Sequence, residues 1–348
     1  MAGLVAAARA RELGLEPVIF EKGTRAGGSM LLSSCVVWRY KTFEVFRAEC
    51  PRGDAELQRL VSDRFDDALA WLESLGAPVV WDETGNPRTV GKRFDSRGLT
   101  DVLLARAGDV RLDSPLPPNA RRPLLLATGG YPVRLARGRD LLVRSNPWSE
   151  GDGIDLAQTL GGALVGDPDE FYGRNMPAPP ARIEERDFVP LAQLYARWAR
   201  VEDEEGQAFL ARPPSWSELD VVQATARQPG GTAWYVVPPD ALENDVRGRT
   251  VAEMIDAARA AGAEVAERDD GSIAVHVKAA VTHTIAGLRV DASARVLGED
   301  GRPVDGLYAA GVDVGGISTG GYASGLASAL VLGLVAAESI AAGYGPER

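Results

Sequence analysis

Apolar and polar positions along the chain predict helices alternating with short strands. Leu4, Ala7, Ala8 and the stretch Arg11 to Leu13 give a helical period with small residues on one face. Gly14 stands where that helix should stop. The run PVIFEKG reads as a buried parallel strand ending at Glu21. After the loop TRAGGSMLLSS, residues 54–75 place Leu57, Leu60, Val61, Phe65, Leu69 and Leu72 on one face of an amphipathic helix. RPLLLATGGY reads as a short apolar strand entering a glycine turn, and EGDGIDLAQTLGGAL as a turn opening a helix. The alternating segment SIAVHV carries His276 as a structural residue. The chain closes with DGLYAAGVDVGGISTGGYASGLASALVLGLVAAESIA: a strand, a glycine-rich loop and a long helix.

Residues 167–275 differ in texture, being rich in Pro, Trp, Tyr and charge. They read as a second domain inserted into the first. The predicted division is 1–166 with 276–348 for one domain and 167–275 for the other. At 348 residues there is ample chain for two domains. The expected fold class is α/β, one domain interrupted by the other.

The formal net charge of -11 argues against nucleic acid or an anionic membrane surface as the main partner. Cys35 and Cys50 are the only cysteines, without metal-type spacing, and read as free thiols in a reducing compartment. With His276 and His283 the only histidines, a histidine-built metal site is not expected. The N-terminal stretch carries Arg9, Arg11 and Glu12 where a signal peptide has its apolar region. The apolar run Leu326 to Ala337 is shorter than the roughly 20 residues a membrane span needs. A soluble, cytoplasmic protein without a membrane span is the expectation.

The glycines carry the chemistry. A dinucleotide site puts a helix N-terminus under a pyrophosphate, with glycines letting the backbone approach. An acidic residue roughly 20 positions on takes a ribose hydroxyl. Gly3 and Glu21 fit the last glycine and the acid of such a fingerprint. The first two glycines and the first strand would lie before Met1, and without them an ordinary βαβ piece with a surface Glu is the alternative. ATGG, GDG and GLYAAG then follow in the order that would surround one extended anionic ligand.

With these motifs the chain resembles the FAD-dependent fumarate reductase and succinate dehydrogenase flavoprotein family, which also holds the 3-ketosteroid dehydrogenases. The resemblance runs over nearly the whole chain and is strongest at 2–34, 123–163 and 279–342. It implies FAD, held by a Rossmann-like domain that an α+β cap interrupts, with substrate between the two. It implies Gly3 at the pyrophosphate, Glu21 at the adenosine ribose and Lys22 beside it. Gly27, Gly28 and Ser29 would pass near the flavin ring. Ala127, Thr128 and Gly129 would line the adenine side, and Asp152 would approach the cofactor. Gly311 belongs to the last glycine turn. Gly325, Leu326 and Ala327 would present their amides to the flavin, where a helix N-terminus stabilises negative charge. The family's usual Glu after AAG is Val312 here, so Asp313, one place later, becomes the candidate for the ribitol contact. The absent first strand reads as a chain whose start was set too late, or as a decayed copy. The intact downstream motifs favour the first.

In the fumarate reductases an arginine of the cap protonates the substrate and another in the last loop grips a carboxylate, and neither has a counterpart here. Ser217 and Glu218 fall at one place and Tyr322 at the other. A bidentate guanidinium is what a dicarboxylate needs, so the expected substrate is an apolar or ketone-bearing small molecule. The loop with Tyr322 looks like that of the ketosteroid dehydrogenases, where a tyrosine hydroxyl polarises a ketone. Tyr322 is thus a catalytic candidate, against the alternative that it packs on the flavin or closes the cap. His283 matches a histidine that contacts substrate or flavin, against a structural histidine. Tyr172, a catalytic candidate, comes with Arg174 and Tyr195 from the insert, where they supply cap contacts or a base, against tyrosines at a domain surface. Trp198, Trp216, Trp234 and Tyr235 read as cap core.

The function expected is FAD-dependent oxidation or reduction of a carbon–carbon bond beside a carbonyl, with an electron acceptor or donor not specified. One alternative is a dicarboxylate or enoate reductase using Arg174, Arg182 or Arg247. Another is a chain that holds no flavin and acts in interactions or not at all.

Overall fold

The computed structural model describes residues 1–117 and 120–344. Its site-positioning elements begin with α1 (Ala2–Glu12), β1 (Val18–Phe20), β2 (Val36–Tyr40), α2 (Ala55–Ser74), β3 (Val79–Trp81) and β4 (Thr89–Phe94). Next come α3 (Ser96–Ala107), β5 (Asp109–Arg111), β6 (Leu124–Leu126), α4 (Asp152–Thr159) and β7 (Phe171–Pro177). The later ones are β8 (Arg200–Glu202), α5 (Leu219–Thr225), β9 (Thr232–Val237), α6 (Val251–Ala260), β10 (Val265–Glu267), β11 (Ile273–Thr284), β12 (Pro303–Ala309) and α7 (Gly325–Tyr344). The fold is mixed α/β with several sheets.

The chain divides into two compact units. The first takes Met1–Tyr131, Asn146–Glu170 and everything from His283 onward; the second takes Pro132–Ser145 and Phe171–Thr282. Residues 132–145 fall on the other side of the boundary expected from composition. The reason is pairing: Leu142 and Val143 run parallel to Ala280 and Val281 of β11.

In the first unit β1 pairs in parallel with β5, Ile19 opposite Val110. Separately, β6 pairs in parallel with β12, Leu125 opposite Tyr308. Among the described residues β1 has no second neighbour, and neither does β6. A third sheet, β2–β4–β3, is antiparallel.

Helix α1 is alanine-rich and ends as its sequence suggests, with Arg9 and Arg11 in its last turn and Gly14 at φ +84°. It packs on α3 and α7 through small residues, Ala6 and Ala10 meeting Ala337. Helix α2 starts on Asp54, whose carboxylate accepts the Glu56 and Leu57 amides. It buries Leu57, Val61, Phe65, Leu69 and Leu72 as the periodicity requires. Leu60 is only half-buried, and Gln58 is fully buried instead.

Helix α7 runs 20 residues, past the end of its apolar run, with a mean hydropathy of 1.8. By length and composition alone the whole helix is long enough to cross a membrane, although its apolar run is shorter. Most of that stretch is buried inside the first unit, Ala327 to Ala337 without interruption.

The second unit is built on the antiparallel run β8–β9–β11–β10, with β7 also paired to β11. Its core joins Tyr195, Tyr235, Val237, Met254, Ile255, Val275 and Val277. Helix α6 is fixed by a reciprocal cap, the Thr250 hydroxyl accepting from Glu253 N and the Glu253 carboxylate from Thr250 N.

Gly333 of α7 lies where a Cβ would stand 2.9 Å from the Ala2 carbonyl and 3.1 Å from Val5 Cγ1. Gly343, in the same helix, has nothing within 4 Å of that position. Helix propensity alone favours alanine at both by up to about 1 kcal/mol. Urea unfolding should show Gly343→Ala neutral or stabilising, and Gly333→Ala destabilised by about 1–3 kcal/mol through overpacking.

Candidate functional site

Three main-chain segments of the first unit meet where β6 and β12 end. A Cβ on Gly3 would stand 3.5 Å from Ala127 Cβ, and one on Gly311 would stand 3.0 Å from Ala2 Cβ. The start of α1 and the ends of two parallel strands therefore share one backbone-lined place. Gly311 takes φ +71°, which side-chained residues rarely adopt.

Asp313 ties this place together. Its side chain is fully buried. One oxygen accepts Thr128 Oγ1 at 2.8 Å and Gly130 N at 3.1 Å. The other accepts Gly129 N at 3.3 Å and the Thr128 amide. Burial pushes the carboxyl above its usual range, and these donors pull it back. Asp313 positions the Thr128–Gly130 turn, and these four donors engage its oxygens inside the protein.

Three more expected contacts are engaged within the chain. Lys22 Nζ lies 2.9 Å from both Glu150 and Asp152, so Lys22 and Asp152 pair with each other. Both carboxylates hold the ammonium above its ordinary pKa. The Ala327 amide donates to Ser324 Oγ at 3.2 Å. Among the described residues the Gly325 and Leu326 amides have no such partner, and both residues are half-buried. They are the two amides the start of α7 can present.

Glu21 follows β1 and accepts its own chain's Gly23 amide at 2.7 Å through Oε1. Gly23 lies against the Trp148 ring, where a Cβ would come within 2.4 Å. Gly27 and Gly28 take positive φ, and Ser29 Oγ accepts the Asn146 amide at 3.1 Å. These three residues are thereby fixed against Thr100 and Asn146.

His283 stands at the start of α7. Its Nε2 is 3.2 Å from where a Cβ on Gly325 would be. Its Nδ1 is 3.1 Å from the Thr284 carbonyl, which can only accept. Nδ1 therefore carries the proton, and in the neutral ring Nε2 carries a lone pair. Burial lowers the imidazole pKa, which keeps the ring neutral.

Tyr322 precedes Gly325 by three residues. Its ring lies 5.3 Å from that of Trp38, and its carbonyl accepts the Tyr40 hydroxyl. The loop it belongs to is held at further points. Gln58 Nε2 donates to the Ile317 carbonyl at 2.8 Å and to the Cys50 carbonyl at 3.0 Å. The Asp54 amide donates to the Gly316 carbonyl at 2.8 Å, and the Gly320 amide to Glu170 Oε1 at 2.7 Å. Tyr40, Gln58 and Glu170 were not legible as site residues. No local pattern displays these contacts.

Tyr172 lies in the second unit, on β7, with the Arg174 guanidinium 5.0 Å from its ring centroid. It is not in the first-unit group that holds Tyr322 and His283. In that same unit Glu218 is 7% exposed, and its carboxyl faces Arg174, Arg197 and Arg247.

The model of the family described as the FAD binding domain matches residues 1–113 and 118–328. The chain is 23% identical to the protein named "Probable fumarate reductase Ifc3" of Shewanella frigidimarina (strain NCIMB 400), over 98% of this chain and 73% of that one. The open conformation of a flavocytochrome c3 fumarate reductase has the same fold, with a TM-score of 0.73 at 20% identity, covering 99% of this chain and 77% of that one. So has a 3-ketosteroid-Δ4-(5α)-dehydrogenase from Rhodococcus jostii RHA1, with a TM-score of 0.71 at 16% identity, covering 98% and 94%.

The residues present fit FAD. Gly3 and Ala127 are small residues in contact, and Gly129 and Gly311 leave little room for a side chain; a Cβ on Gly129 would meet Ser149 Oγ at 2.6 Å. Two amides at the start of α7 and a carboxylate after β1 add the polar groups such a ligand needs.

The Tyr40 contact tests the loop. Tyr40→Phe keeps the ring packing and leaves the Tyr322 carbonyl without its donor. Unfolding measurements should show a loss of about 1–3 kcal/mol. An unchanged stability would remove Tyr40 as an anchor.

Proposed function

The chain belongs to the FAD binding domain family, and on that premise we propose that it is an oxidoreductase acting on a carbon–carbon bond beside a carbonyl. The observation that carries this reading is the grouping of His283, the Gly325 and Leu326 amides and the anchored Tyr322 loop at one end of α7.

In this reading the first unit holds FAD and the second is the cap. Gly3, Ala127, Thr128, Gly129 and Gly311 lie along the phosphate and adenine side, and Glu21 takes a ribose hydroxyl. Gly27, Gly28 and Ser29 lie near the ring system. The open edges of β1 and β6 support a dinucleotide sheet whose first strand would stand between them.

Bound FAD supplies a two-electron centre for hydride transfer. The protein's own residues do the rest. The Gly325 and Leu326 amides face developing negative charge without reorganising. The Tyr322 hydroxyl donates to the substrate carbonyl and so acidifies the neighbouring C–H. His283 Nε2 accepts that proton, which its neutral state permits. Tyr172 is a cap contact for the substrate. A tyrosine, Tyr322, at the place of the family's carboxylate-gripping arginine supports a ketone-bearing substrate. A second reading, reduction of an enoic acid, is supported by Arg197 and Arg247 lining one small cavity of the second unit.

Turnover of a 3-ketosteroid against fumarate separates the two. Tyr322→Phe should lower kcat on the ketone by about 100-fold, as for loss of one oxyanion donor, with little change in KM. The rate should hold through neutral pH and fall only below the ordinary histidine range, as His283 becomes protonated and loses its lone pair. Turnover of fumarate alone, unaffected by Tyr322→Phe, would overturn the ketone reading.

A further inference from the structure

Glu170 stands immediately before β7 and closes the middle segment of the first unit. Each of its polar groups is engaged. Its amide donates to the Asp167 carbonyl at 3.0 Å, and its carbonyl accepts the Ile285 amide at 3.1 Å. Oε1 accepts the Gly320 amide at 2.7 Å, and Oε2 lies 3.5 Å from a guanidinium nitrogen of Arg52. The Glu170 side chain is only 13% exposed. Arg52 Nε is also 3.1 Å from where a Cβ on Gly320 would be, so the arginine lies against Gly320 as well.

Two of these contacts lead to the candidate chemical groups. The Ile285 amide belongs to the same peptide group as the Thr284 carbonyl, which accepts from His283 Nδ1. One peptide plane is therefore held by Glu170 on its N–H side and holds the imidazole on its C=O side. Hydrogen bonds in such a chain strengthen one another. Gly320 lies two residues before Tyr322, in glycine-rich chain that does not fix itself. One residue thus joins the segment of His283 to the loop of Tyr322, the first through its main chain and the second through its carboxylate.

We propose that Glu170 is a positioning residue that holds the His283 segment and the Tyr322 loop in one register, and that it grips the loop in its ionised form. An amide makes a hydrogen bond roughly twice as strong to a charged carboxylate as to a neutral acceptor. Protonation would also remove the attraction to Arg52. The loop is therefore tightest while Glu170 is charged and slackens as it takes a proton. Burial raises this carboxyl above its ordinary range, while the Gly320 amide and Arg52 hold it down and Asp167 adds to the rise. The Cys50 thiol also faces it, and burial pushes that thiol up to about 12, so it stays neutral. The slackening is expected at acid pH, above the range of an ordinary carboxyl. Its effect on turnover rests on the oxidoreductase reading; its effect on the loop does not.

The loop can be read at Trp38, whose ring lies 5.3 Å from that of Tyr322. The full chain is labelled with 5-fluorotryptophan, Trp38→Phe assigns the resonance, and 19F spectra are recorded from about pH 8 to about pH 5, across the raised carboxyl range. In the unmodified sequence the Trp38 resonance should move as pH falls. Glu170→Gln keeps an acceptor of the same shape without its charge, and should displace the resonance toward its acid position already at the alkaline end. Arg52→Met, at a side chain 64% exposed, should move the midpoint of the step to higher pH. With FAD bound, Glu170→Gln should lower kcat on a 3-ketosteroid about 10-fold and leave KM within about 2-fold. Circular dichroism confirms that each variant is folded; should Glu170→Gln not fold, the Arg52→Met midpoint decides. A Trp38 resonance unmoved by Glu170→Gln at the alkaline end, a midpoint unmoved by Arg52→Met, or an unchanged kcat would overturn the proposal. The expected fluorine response with no turnover in any variant would uphold Glu170 at the loop and tell against the oxidoreductase reading alone.

Discussion

One buried carboxylate holds the first unit's site together. Asp313 sits after β12 and collects four donors from the turn after β6. A carboxylate fully removed from water is costly unless its acceptor sites are filled, and here backbone amides and one hydroxyl fill them. The two strand ends are thereby locked in register with each other. With α1 approaching through Gly3 and Gly311, three glycine-bearing segments present main chain in one place. Side chains could not substitute, because a Cβ at several of these positions would strike a neighbour.

The same logic carries to the start of α7. Its first residues are useful only if the preceding loop is fixed, and glycine-rich chain does not fix itself. The side chains of Tyr40, Gln58 and Glu170, from three segments, bind main-chain groups of that loop. The aromatic contact between Trp38 and Tyr322 then sets where the tyrosine ring lies. Positioning here is done by side-chain contacts to main chain, and the candidate chemical groups, His283 and Tyr322, flank the result.

Much of this was legible in the sequence, and the limits have physical causes. The amphipathic period of α2, the glycine stop of α1 and the strand–glycine–helix order at the end of the chain depend on local pattern, which a sequence displays. The family was legible because close backbone approach demands glycine at fixed places. The roles of Asp313, Lys22, Asp152 and Ala327 were not, because each depends on a partner distant in sequence or on a local cap that competes with the ligand. Gln58, fully buried in α2, anchors the loop through carbonyls distant in the sequence, which no local pattern displays. Glu218 was noted only as a departure from the family's arginine, and only folding brings it near Arg174, Arg197 and Arg247.

The central claim is that the glycine-lined place in the first unit holds FAD. An absorbance spectrum of the purified, folded chain, before and after incubation with FAD and removal of the excess, tests it most directly. Flavin bands that remain with the protein in either sample are the predicted result. Well-folded protein without bound flavin in both samples would contradict the account.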